Sequence, residues 1–69
     1  MALTEDMADE IALLALEDEK RSGDETIIAQ VAEILGASSQ TLQEAFLTSV
    51  RVRRAEKRAR DMLAARAKG

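Results

Sequence analysis

Apolar and polar positions follow a helical period along this chain, and the pattern is interrupted twice, at Gly23 and Gly36. Met7, Ile11 and Leu14, with Ala8, Ala12 and Ala15 beside them, recur at steps of three and four. That spacing predicts an amphipathic first helix over about residues 5–21. Thr4 can cap it, Glu5, Asp6, Asp9 and Glu10 suit the positive end of its dipole, and Lys20 and Arg21 suit the negative end. Gly23 supplies a left-handed stop. Leu13 and Leu16 widen the apolar face, which implies burial against more than one neighbour.

The second helix is expected over about residues 24–35, with Asp24 as N-cap and Gly36 as its end. Ile27, Ile28, Val31, Ala32, Ile34 and Leu35 cover most of its circumference, so it is expected to be the most buried element. The third helix starts near Ser38 or Ser39, either of which can cap it, and meets no breaker before Gly69. Over about residues 38–67 it spans roughly 45 Å, more than the diameter of a globule of this size. Leu42, Ala45, Phe46 and Ser49 in its early part can pack on the first two helices. Its later part must protrude, fray or find a partner. There Val52, Ala55, Ala59 and Met62 form a heptad-like seam of mostly small residues, the candidate oligomer interface. The predicted fold is all-α: a single domain of two short helices joined by a Gly turn and one long C-terminal helix, assembled as an oligomeric bundle.

Composition sharpens the case for assembly. A chain of 69 residues is one domain at most, and one so small buries only about 60% of its unfolded surface. Hydrophobic residues make up 46%, but 13 of them are Ala and there is one Phe, with no Trp or Tyr. Without Cys or His, neither a disulfide nor a zinc site can staple the fold. Self-association is the simplest remedy, and a homo-oligomer is expected. No apolar run approaches the ~20 residues that cross a bilayer, so no membrane partner is expected. The N-terminus lacks a basic region followed by an apolar core, so the expected location is the cytoplasm.

The net charge of −3 hides a split. Residues 1–35 carry ten acids and two bases, whereas residues 36–69 carry three acids and eight bases. A basic end can serve double-stranded DNA; equally, acidic and basic halves can pair within or between chains.

Residues 31–46, reading VAEILGASSQTLQEAF, resemble helix-turn-helix DNA-binding domains. In that family a small residue, here Ala32, lets two helices approach. A Gly, here Gly36, makes the turn; a Ser, here Ser38, caps the recognition helix; and apolar residues, here Leu42 and Phe46, lock that helix down. The resemblance implies that Ser39, Gln40, Gln43 and Glu44 face the groove. Gln can pair with adenine and Ser with several groups, while Glu44 repels phosphate. Phosphate neutralisation, which supplies most of the affinity, would fall to later cations. Among these, Arg51, Arg54 and Arg58 share one helical face and Lys57 lies beside them. The same face can instead be solvated and locally paired, Glu56 with Arg60 and Lys57 with Asp61 at helical spacing.

Nothing points to catalysis. The hydroxyls sit at caps, turns or a helix face with no evident base beside them, and no Gly-rich phosphate loop or calcium-loop pattern occurs. No cofactor, metal or small-molecule substrate is expected. Two readings remain. One is a non-enzymatic DNA-binding regulator or phage-type DNA-packaging subunit, the latter by similarity of architecture alone. The other is a helical adaptor or inhibitor that oligomerises or binds a partner protein without touching DNA.

Overall fold

A computed structural model describes residues 3–68, with three α-helices and no strand among them. They are α1 (Leu3–Ser22), α2 (Ile27–Ser38) and α3 (Gln40–Lys68). The all-α, three-helix architecture agrees with the sequence pattern. Gly69, the breaker expected after the last helix, lies outside the described residues, as do Met1 and Ala2.

Helix α3 crosses α1 rather than running along it. The neighbours Arg53 and Arg54 grip α1 at Asp9 and at Glu19. By helical rise those two carboxylates stand about 15 Å apart. The overall extents of 48 × 30 × 13 Å fit the same picture, a flat cross with α3 along the longest axis and α1 along the second. The crossing is close because α1 presents alanine to it: Ala8, Ala12 and Ala15 are all buried. Against them lie Phe46, fully enclosed, and Val50 from α3, with Ile28 and Ala32 from α2 completing the core.

The core face of α1 differs from the expectation. Met7 and Leu14, expected inside, are exposed, and only Ile11 of that trio is partly buried. A stripe of large residues would hold α3 off, whereas the alanine stripe lets it settle onto the backbone. Helix α2 has the largest share of buried and half-buried positions of the three, as expected, although Ile34 on its outer side stands 70% exposed. Early α3 packs as expected, with Leu42 and Ala45 half-buried beside Phe46.

The connections differ too. Gly23 does stop α1 in the left-handed region at φ 76°, its N–H donating to Glu19 O at 2.8 Å. Thr4 lies inside α1. Asp24 is not an N-cap: its Oδ1 accepts from the Thr26 N–H at 2.9 Å and hydroxyl at 2.6 Å, shaping a turn before α2 begins three residues later. Gly36 does not end α2, which continues through Ala37 to Ser38. The break falls at Ser39, in extended backbone at φ −154° and ψ 104°. Its hydroxyl accepts the Leu42 N–H at 3.1 Å and so caps α3. The cap is thus Ser39, not Ser38.

From residue 55 to residue 68 every position of α3 is exposed. This arm accounts for a radius of gyration of 13.8 Å, against about 11 Å for a compact chain of this length. No helix among the described residues is long and apolar enough to cross a membrane.

Candidate functional site

The corner between α2 and α3 spends its polar groups internally. Gln43 is half-buried, and its Nε2 donates to Ala32 O at 2.9 Å, tying α3 to α2. Gly36 is where this carboxamide lies: a Cβ there would meet Gln43 Cδ at 2.7 Å. The glycine leaves room for that carboxamide and does not make the turn. Ser39 is committed to its cap. Of the residues expected to face a groove, Gln40 and Glu44 are exposed. The structure therefore does not bring Ser39, Gln40 and Gln43 onto one open surface.

The cations divide into two groups. Arg53 Nε and Nη2 donate to Asp9 Oδ1 and Oδ2 at 2.9 and 2.8 Å, a bidentate pair between α3 and α1. These bonds hold the Asp9 carboxyl below the usual carboxylate range and raise the Arg53 guanidinium, with Glu17 adding a smaller favourable field at Arg53. Arg54 Nη2 donates to Glu19 Oε2 at 3.0 Å. Lys57 pairs with Asp61 at 2.8 Å and Arg60 with Glu56 at 3.0 Å, both at the expected spacing. Arg51 and Arg58 are exposed and have no acidic partner among the described residues. Part of the charge split thus resolves as pairing within the chain. From sequence Arg53 stands only as one of the later cations, although it continues the Phe46–Val50 face at helical spacing, the face that meets α1.

Two apolar stripes have no cover. On α3, Val52 is 62%, Met62 63% and Leu63 65% exposed, with exposed Ala55 and Ala59 between them. The expected seam therefore exists as a surface pointing away from the core. On α1, Leu3, Met7 and Leu14 form a second stripe, with Leu14 65% exposed. Exposed Glu10 and Glu17 flank it without an ion partner among the described residues. The signal for this second stripe was present in the sequence, since α1 carries apolar residues at more positions than one contact face can bury.

Asp24 is held below the usual carboxylate range by the Thr26 hydroxyl and N–H, which is turn chemistry. No group of acidic residues among those described is arranged to hold a metal ion. The surface hollows lie between α1 and α3, one reaching the connection at Gly23, and are lined by charged side chains such as Glu19, Lys20 and Arg54. The chain matches no protein-family model, no curated protein and no solved structure.

Proposed function

We propose that this chain is a small, non-enzymatic assembly protein that self-associates through the arm of α3. One observation carries the reading: residues 55–68 form a helix with every side chain exposed, although Met62 and Leu63 are apolar. A helical segment of about this length is marginal in water without tertiary support, and a second copy would supply it. On the sequence argument given above, we place that assembly in the cytoplasm. Light scattering tests the reading. A concentration-dependent mass above 7.5 kDa is expected at micromolar protein, and Ala59→Glu should lower it by placing charge in the seam. A strictly monomeric wild type would overturn it.

A second reading, DNA binding, is favoured by Arg51 and Arg58, which stand unpaired among the described residues on the helix that follows the corner. In this reading the protein is a regulator or a nucleoprotein-assembly subunit. Replacing Arg51, Arg54 and Arg58 with Gln should lower affinity for all duplexes and flatten the salt dependence. Gln40→Ala should alter discrimination between sequences more than affinity. Gln43 drops out of the base-reading set, since its carboxamide is engaged with Ala32. The absence of salt-sensitive binding to any duplex at low ionic strength would sink the DNA reading and leave the protein–protein one standing.

A further inference from the structure

Resting on the self-association reading, we infer that the contact is head-to-tail. The α3 arm of one copy lies antiparallel along the Leu3, Met7 and Leu14 stripe of α1 in the next. Glu10 then faces Arg58 and Glu17 faces Arg51.

The two stripes match in length. Leu3 and Leu14 lie eleven positions apart, as do Val52 and Leu63, about 16 Å of helix. They match in relief as well. Large side chains project from α1, while Ala55 and Ala59 leave hollows on the arm. Each stripe is edged by a charged ridge whose two members are one heptad apart, Glu10 with Glu17 and Arg51 with Arg58. None of the four has an ion partner among the described residues.

Orientation follows from which side of its stripe each ridge occupies. At 100° per residue both ridges lie on the same rotational side of their stripes. Two facing helices bring such sides together only when antiparallel. A parallel pairing would set Glu10 and Glu17 against the opposite flank of the arm, where Glu56 and Arg60 already bond each other. Two antiparallel symmetric alternatives fare worse. Antiparallel arm on arm opposes Arg51 to Arg58, and antiparallel α1 on α1 opposes Glu10 to Glu17. Like charges so placed are destabilising.

Surface area supports an interface of this scale. The accessible surface is 5330 Å², whereas a compact monomer of this mass exposes about 4,200 Å². The excess of roughly 1,100 Å² exceeds the ~800 Å² that each partner contributes to a standard interface. A contact between two different patches closes as a reciprocal dimer or ring, or grows as a filament.

Charge reversal tests the inference, with circular dichroism confirming that each variant keeps its helices. One variant carries Glu10→Lys and Glu17→Lys; the other carries Arg51→Glu and Arg58→Glu. Each alone should raise the dissociation constant on the order of tenfold or more. An equimolar mixture should regain the wild-type mass, because each variant's arm then meets an oppositely charged α1. Glu33→Lys, on the exposed side of α2, should leave the mass unchanged. If the wild type assembles but the α1 reversal is silent, or the mixture fails to recover, the head-to-tail contact is overturned while self-association stands. A monomeric wild type overturns both.

Discussion

The crossing of α1 and α3 and the arm beyond it draw on the same residue types, yet one is enclosed and the other bare. At the crossing, Ala8, Ala12 and Ala15 lie buried against Phe46 and Val50. In the arm, Ala55 and Ala59 follow Val52 at the same three- and four-residue steps and face solvent. The ion pairs divide likewise. Arg53 and Arg54 reach across to another helix, while Lys57 and Arg60 pair with acids one turn away on their own. Burial of an alanine stripe thus depends on what is folded over it.

That contrast sets the size of substitution effects. Phe46→Ala should be the most damaging, costing about 3–5 kcal/mol by opening a cavity in the only enclosed aromatic site. Met62→Ala in the arm should change monomer stability by less than about 0.5 kcal/mol. Chemical denaturation at protein concentrations below assembly measures both, and a comparable loss at Met62 would show that the arm is packed after all.

Ala12→Leu comes next. Overpacking the close crossing should cost about 1–3 kcal/mol, whereas Ala59→Leu in the arm should leave the monomer unaffected and weaken assembly by filling a hollow that receives an α1 side chain. Equal destabilisation by the two would erase the distinction between the stripes.

Gly36 offers a finer comparison. In most helices Gly→Ala gains about 1 kcal/mol. Here the new methyl displaces the Gln43 carboxamide and breaks its bond to Ala32, a loss of about 1 kcal/mol. Gly36→Ala should therefore be close to neutral alone and stabilising by about 1 kcal/mol in a Gln43→Ala background. A thermal-melt double-mutant cycle reads the coupling, and simple additivity would mean the carboxamide does not occupy that space.

The smallest effect expected is that of pH. Asp9 is lowered in the folded protein by its bonds to Arg53, so the stability it contributes is present above the unfolded carboxylate value. It is lost as pH falls through the lower folded value, in the region below about pH 4. Asp9→Asn should flatten that part of the acid-denaturation curve. Asp61→Asn, in the arm, should not. If the two behave alike, the crossing pair has no special hold on the fold.

Much of this was legible residue by residue. The three helices, the left-handed Gly23 stop, Ser39 as one of two candidate caps and the local pairs Lys57–Asp61 and Glu56–Arg60 all follow from short-range rules, because helix propensity and capping act within one or two turns. The candidate site was less legible. Gln43 reads as a groove-facing residue on a helical wheel, but whether its amide meets solvent or Ala32 depends on the angle between α2 and α3. Arg53 reads as one cation among several until α1 is laid across it.

Local chemistry by itself determined the elements: where each helix runs, that the last one outgrows a small globule, and that acidic and basic residues collect at opposite ends of the chain. Tertiary structure alone decided which apolar stripe of α1 is covered and which pairs cross between helices, and that Gly36 leaves room for the Gln43 carboxamide rather than making a turn. The reason is physical. Periodicity marks every face that is apolar, but a core has room for one face of each helix, and the choice falls to whichever lets the backbones come closest.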